Sequence, residues 1–185
     1  MENFEKQNLL LHSGLIAREP VQPCLHSEEE IVSAIENENL YGEAIRESLA
    51  HYAVEEEWSS VWSLADSMKR EISILFDTQG LVWVDVGTPG MVRLSPPLGS
   101  KLPLKLWVHS HPWNAYWSAT DLRTLASVSG ILEKALVLGH DHLVKSECLD
   151  STSDYNQKDR RLSGEGPLMS WTDEAAVSYE IYQSE

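Results

Sequence analysis

Apolar side chains recur at helical spacing in the first third of the chain. Ser27, followed three residues later by Glu30, has the form of a capping box and predicts a helix that ends near Asn37. A second helix is predicted from Tyr41 to Tyr52. A third covers residues 55–69, where one apolar stripe consists of Trp58, Val61, Trp62, Ala65 and Met68. We interpret this stripe as core packing rather than as a binding face.

Apolar residues then occur in short runs and in alternation, which is typical of strands. Ile72–Phe76 and Leu81–Val86 flank the turn sequence at residues 77–80, so they are predicted to form a hairpin. A third strand, Leu104–Val108, runs into His109 and stops at Pro112. Shorter strands are predicted at Met91–Leu94, Ala135–Leu138 and Leu143–Val144, and a helix from Ser118 to Ser129.

This irregular alternation of strands and helices predicts an α/β fold with a mixed β-sheet flanked by helices. Residues 1–26 lack a sustained period and are predicted to form an irregular arm. Residues 146–170 are polar and are predicted to form a surface loop, with a further short helix in the acidic C-terminal segment.

Composition narrows the functional classes. The 185 residues include 14 basic and 29 acidic side chains, and a formal charge of −15 argues against nucleic acid as a partner. No apolar run is long enough to span a bilayer, and the polar N-terminus does not resemble a signal peptide, so a cytoplasmic location is expected. The two cysteines, Cys24 and Cys148, are interpreted as ordinary thiols.

Two histidines and an aspartate have the spacing of a catalytic metal site. His109 and His111 are two residues apart at a strand end, so their side chains point to the same face. Asp121 lies in the first turn of the next predicted helix, where the helix dipole favours a carboxylate. Two imidazoles and one carboxylate leave a fourth tetrahedral position open, which is typical of catalytic zinc.

Two further residues are candidates for catalysis, but their positions alone do not decide their roles. Ser118, three residues before Asp121, suits either a helix N-cap or a donor to an oxyanion. Glu71 precedes the strand Ile72–Phe76 and is a candidate general base if this strand lies beside the one that bears the histidines. By itself, a glutamate after Lys69 and Arg70 is more typical of a solvated helix end.

These residues together resemble the motif of the JAMM (MPN-plus) zinc metalloproteases. That motif combines an upstream glutamate, a His-x-His-Pro sequence at a strand end and Ser-x-x-Asp at the start of a helix, matched here by Glu71, His109–Pro112 and Ser118–Asp121. The resemblance covers residues 50 to 145 in the order of elements, whereas close identity is confined to the motif. The segment between His111 and Ser118 has six residues, one fewer than is usual in the family.

The resemblance implies a three-layer MPN-like fold in residues 51–185, with residues 1–50 as a partly helical N-terminal extension. It implies that His109, His111 and Asp121 bind Zn²⁺, that Glu71 activates water and that Ser118 steadies the oxyanion. It further implies that the protein is an isopeptidase whose partners are conjugates of ubiquitin or a ubiquitin-like protein. The polar segment 146–170 then matches the position of a substrate-contacting insertion.

Three alternatives stay open at this stage, and one of them is unrelated zinc-dependent hydrolysis of a small amide. Many JAMM relatives lose the metal ligands and act as scaffold or binding modules. The stretch from Glu71 to Gly80 and the pair Asp141–His142 also resemble RadC-like proteins, a branch of the same superfamily linked to DNA. His140 and His142 are conceivable extra ligands, although histidines at such a junction are more often surface or packing residues.

Overall fold

A computed structural model of the chain describes residues 19–92, 94, 96–149, 161–162 and 164–184. These residues contain five α-helices and six β-strands. The helices are α1 (Glu28–Glu36), α2 (Glu43–Val54), α3 (Trp58–Met68), α4 (Ala119–Val128) and α5 (Tyr179–Tyr182). The strands are β1 (Ile72–Phe76), β2 (Val82–Val86), β3 (Leu104–Ser110), β4 (Leu132–Leu138), β5 (His142–Glu147) and β6 (Val177–Ser178). A short 3₁₀ helix spans Gly166–Ser170.

The six strands form one mixed sheet in the order β2-β1-β3-β4-β5-β6. Strands β3 and β4 are parallel, and all other neighbours are antiparallel. Two adjacent parallel strands need a crossover connection, which α4 supplies here. The predicted α/β class with a mixed sheet is therefore confirmed.

Helices cover both faces of this sheet. In β1, Ile72 and Ile74 pack in one core cluster with helices α1 to α3, whereas Leu75 belongs to a second cluster that contains Leu125 and Val128 of α4. This division follows from the alternation of side chains along a strand. The result is three layers, with the sheet in the middle.

The local signals in the sequence produce the elements expected of them. Ser27 caps α1 through a complete capping box, in which the Glu30 N–H donates to Ser27 Oγ and the Ser27 N–H donates to the Glu30 carboxylate. Strands β1 and β2 form the predicted hairpin. Its turn is held by Asp77 Oδ1, which accepts hydrogen bonds from the backbone N–H groups of Gln79 and Leu81. The residues of the predicted stripe on α3 are all buried, which confirms its interpretation as core.

Other parts of the chain differ from the expectation. The predicted strand at Met91–Leu94 is wrong, since Met91 makes one isolated bridge to Thr88 and neither Val92 nor Leu94 belongs to a strand. Two prolines follow closely, at positions 96 and 97, and proline cannot donate to a strand ladder. Strand β6 was not expected. The predicted boundary at residue 50 falls inside α2, and residues on both sides of it share one core cluster.

The predictions for residues 1–18 and 150–160 lie outside the described residues. Of the predicted loop 146–170, the described part includes the end of β5 and the 3₁₀ helix, and it leads to the fully buried Trp171. No helix among the described residues is both long enough and apolar enough to cross a membrane.

Candidate metal centre

Strand β3 places two imidazoles on one face at the centre of the sheet. His109 pairs with Ser73 of β1 on one side and with Val137 of β4 on the other. His111 lies just beyond the strand, but its N–H still donates to the Leu138 carbonyl oxygen over 2.9 Å. Both side chains are buried, with exposed fractions of 2% for His109 and 7% for His111. The backbone thus brings the two imidazoles to one face of the sheet.

The carboxylate of Asp121 comes from the other direction, at the start of α4. Ser118 is the N-cap of this helix, and its Oγ accepts a hydrogen bond from the Asp121 N–H over 3.2 Å. In return, the Ser118 N–H donates to Asp121 Oδ2 over 2.9 Å. This capping box points the carboxylate at the histidines, with Oδ1 3.3 Å from His109 Nε2 and Oδ2 3.3 Å from His111 Nε2.

The three side chains can hold a metal ion. One ligand atom from each of His109, His111 and Asp121 lies within 4.8 Å of the others. The Nδ1 atoms of both histidines are buried and have no hydrogen-bond partner among the described residues. A buried carboxylate between two imidazoles requires compensating positive charge, which a divalent cation supplies. The donor set of two nitrogens and one carboxylate suits such a cation.

The pKa of Asp121 shows which form this carboxyl group takes. Burial acts to raise its pKa, but hydrogen bonds with His109, His111 and Ser118 outweigh burial and hold the pKa well below the usual range. Asp121 is therefore ionised at neutral pH, which is the form that ligates a metal.

Glu71 reaches the same face because β1 lies antiparallel beside β3. In the register of these strands Ser73 is opposite His109, so Glu71, two residues earlier, is level with His111, two residues later. Glu71 is 7% exposed and lines the same cavity as the three ligands. Burial raises its pKa, and the nearby histidines only partly oppose this effect.

The cavity over the centre is about 490 Å³ in volume. Its wall contains all five candidate residues together with residues of two neighbouring loops, among them Met91, Val92, Trp113, Asn114 and Tyr116. Trp113 and Tyr116 are 75% and 56% exposed, so the rim of the cavity presents aromatic surface to solvent. Three acidic residues earlier in the chain, Glu55 to Glu57, are exposed at the α2–α3 junction and do not line this cavity.

Several residues that sequence reasoning did not select support the centre. Trp107 stacks on His109 with ring centroids 5.3 Å apart, and its Nε1–H donates to Ser73 Oγ. Its position two residues before His109 was the signal for this contact, since the two side chains share a face. Trp62 of α3 donates its Nε1–H to the His111 carbonyl oxygen over 2.8 Å. No local pattern indicates that bond, because 49 residues separate its partners.

The loop between His111 and Ser118 is held against the turn between β4 and β5. The His140 N–H donates to the Trp113 carbonyl oxygen, and the Ala115 N–H donates to His142 Nε2. A Cβ atom at Gly139 would lie 2.5 Å from the Ala115 nitrogen, so glycine permits this close approach. Although the loop is one residue shorter than in the resembling family, the candidate ligands still meet.

His140 and His142 have other contacts and lie outside the group of candidate ligands. The His140 ring packs edge-on against Trp62, with centroids 4.9 Å apart. His142 bonds to Asp141 through Nδ1 and holds the loop through Nε2. These contacts agree with their interpretation as packing residues.

Comparison with known proteins found no matching family model, no matching curated protein and no matching solved structure.

Proposed function

We propose that this protein is a zinc-dependent isopeptidase of the JAMM type, which hydrolyses the bond at the C-terminal tail of ubiquitin or of a ubiquitin-like protein. One observation carries the proposal. The buried group of His109, His111 and Asp121 shares a single cavity with a buried glutamate, Glu71, and with the hydroxyl of Ser118.

Zinc is the metal that this donor set favours. Imidazole nitrogen and carboxylate oxygen in a three-residue set are typical of catalytic zinc sites, which keep one position open. When bound there, zinc polarises a carbonyl oxygen and lowers the pKa of a water molecule. In this chain His109 and His111 would hold the metal from the β3 side, and Asp121 would hold it from α4.

Glu71 is the proposed general base. Its carboxylate lies in the cavity beside the ligands, where it takes a proton from the attacking water and returns it to the departing amine. Burial raises the pKa of Glu71 toward neutral pH, which suits a group that must both accept and release a proton. The Asp121 N–H donates to Ser118 Oγ and so holds this hydroxyl at the wall of the cavity, where it would donate to an oxyanion.

The surroundings of the cavity support a polypeptide substrate. The exposed side chains of Trp113, Tyr116 and Met91 form an apolar rim beside the proposed reaction centre. An extended chain that crosses this rim presents its amide carbonyl to the ligands while its side chains contact the aromatic rings. The JAMM resemblance supports a ubiquitin-like tail as that chain, and the charge of −15 disfavours a nucleic-acid substrate.

The test combines zinc content with cleavage of ubiquitin and ubiquitin-like conjugates. We expect wild type to bind zinc and cleave such conjugates. Glu71→Gln should keep its zinc and lose at least about 100-fold in turnover, because it cannot accept the proton. Glu56→Gln is the control, since Glu56 is exposed at the α2–α3 junction, and it should leave zinc content and turnover unchanged.

Each of the opposite results has a distinct meaning. Unchanged turnover in Glu71→Gln would exclude Glu71 as the base. Zinc binding without cleavage of any such conjugate would overturn the isopeptidase proposal and favour a binding module. An equal zinc content in wild type and Asp121→Ala would exclude the proposed ligand set.

A further inference from the structure

A second group of metal-binding side chains lies where the segment before α1 crosses α2. Cys24, His26 and Glu47 each place one ligand atom within 4.8 Å of the others. None of the three lines the cavity of the metal centre. The group combines a thiol, an imidazole and a carboxylate, which is a donor set for a divalent transition metal.

The backbone holds these three residues in place. Residues 24 and 26 lie in a segment without helix or strand structure, and their spacing of two matches that of the histidines in the metal centre. The Cys24 N–H donates to the Glu47 carbonyl oxygen over 3.3 Å, and the His26 N–H donates to Ser48 Oγ over 3.3 Å. The segment is thereby fastened to α2 at the two positions that carry the ligands, so the site is largely preformed.

Carboxylates lie on both sides of the His26 ring. Nε2 is 2.8 Å from Glu47 Oε2, and Nδ1 is 3.6 Å from Glu30 Oε2. Glu30 is itself held by the N–H and hydroxyl of Ser27. Metal-ligating histidines usually donate their second ring N–H to such a carboxylate, which orients the ring. Glu30 can take this role while Glu47 shares the metal with His26.

We propose that Cys24, His26 and Glu47 form a second metal site, which binds zinc or a similar divalent transition metal and fastens the segment before α1 to α2. Cys24 ligates as the thiolate and releases its proton when the metal binds. Three protein ligands leave the fourth tetrahedral position to water, in keeping with the exposure of Cys24. A simple ion pair between His26 and Glu47 does not involve the thiol, so dependence on Cys24 separates the two interpretations.

Cobalt is the probe that isolates this site. A thiolate bound to Co²⁺ gives a sulfur-to-metal charge-transfer band, whereas His109, His111 and Asp121 carry no sulfur. The full chain is stripped of metal, kept reduced with a phosphine so that only protein thiolates are present, and titrated with Co²⁺. We expect the band in wild type, in Asp121→Ala and in Cys148→Ser. It should disappear in Cys24→Ser and fall in His26→Ala and Glu47→Gln.

Zinc counting gives an independent readout. Asp121→Ala should bind one zinc per chain, and Asp121→Ala/Cys24→Ser should bind none. Cys24 is exposed, so its replacement leaves the core intact. The proposal is overturned if wild type shows no charge-transfer band, if the band persists in Cys24→Ser, or if it vanishes on dilution because thiolates of two chains share one ion. Failure here leaves the proposed function standing, since Cys24, His26 and Glu47 do not line the cavity of the candidate metal centre.

Discussion

At the scale of single residues, the carboxylate of Asp121 makes two kinds of contact. It completes the capping box of α4 through the Ser118 N–H, and it faces both imidazoles. The helix cap therefore fixes the direction of a candidate metal ligand, so little conformational entropy is lost when a metal binds. Ser118 holds the same residue through a second hydrogen bond, in which the Asp121 N–H donates to Ser118 Oγ.

Ser118→Ala separates capping from catalysis. The loss of the cap should lower the free energy of unfolding by about 1 kcal/mol. If the hydroxyl also donates to the oxyanion, turnover should fall by roughly 100-fold. Urea unfolding and conjugate cleavage measure the two effects, and Ser118→Thr, which keeps a capping hydroxyl, should recover most of the stability. A loss of stability with unchanged turnover would restrict Ser118 to the cap.

At the scale of elements, strand pairing decides whether Glu71, the proposed base, lies beside the candidate metal ligands. The antiparallel register of β1 and β3 brings Glu71 level with His111 on the face that also carries His109. A slip of one residue would turn Glu71 to the opposite face of the sheet. The next element along the chain, the loop of residues 112–117, forms the aromatic rim and is held by the turn at Gly139.

Gly139→Ala tests the contribution of this loop. The new Cβ would lie 2.5 Å from the Ala115 nitrogen and 2.8 Å from the Trp113 carbonyl oxygen, so the loop must move. We expect zinc content to be kept and turnover to fall by roughly 10- to 100-fold, because displacements of about 1 Å cost rates of this size.

Gly130→Ala is the matched control for general destabilisation. Its φ of +88° strains any other residue, but no atom lies within 4 Å of the added Cβ. It should cost about 1–2 kcal/mol of stability while turnover stays at the wild-type level. Equal turnover in Gly139→Ala and wild type would show that the position of the loop does not matter.

At the scale of the whole molecule, the candidate metal centre joins the three layers. His109 and His111 come from the sheet, Asp121 comes from α4, and Trp62 of α3 donates to the His111 carbonyl oxygen. Since the unfolded chain does not hold these groups together, metal binding should stabilise the native state as a whole.

Thermal unfolding in Cys24→Ser, which lacks the proposed second site, measures this effect. Zinc at about 1,000 times its dissociation constant should add about 4 kcal/mol. For a domain of this size that corresponds to a rise in Tm of roughly 8–16 °C. The rise should be absent in Cys24→Ser/Asp121→Ala. If zinc raised the Tm of both variants equally, the stabilising ion would have to bind elsewhere.

Interactions within a few residues could be predicted from the sequence. The capping boxes at Ser27 and Ser118, the buried stripe of α3 and the shared face of His109 and His111 each depend on one short segment and its period. The α/β class follows from the same patterns. The strand predicted at Met91–Leu94 is wrong, because a segment forms a strand only where a neighbouring strand pairs with it, and Met91 makes only an isolated bridge.

Contacts between distant segments were decided only by the tertiary structure. Glu71 resembles a solvated charge in its local context and becomes a buried cavity residue once β1 pairs with β3. The hydrogen bond from Trp62 and the close approach at Gly139 likewise depend on how helices and loops pack against the sheet. The sequence by itself thus determined which donors share a strand or a helix turn, because that geometry is local. Whether those donors meet at one point was decided by strand register and layer packing, which no local period encodes.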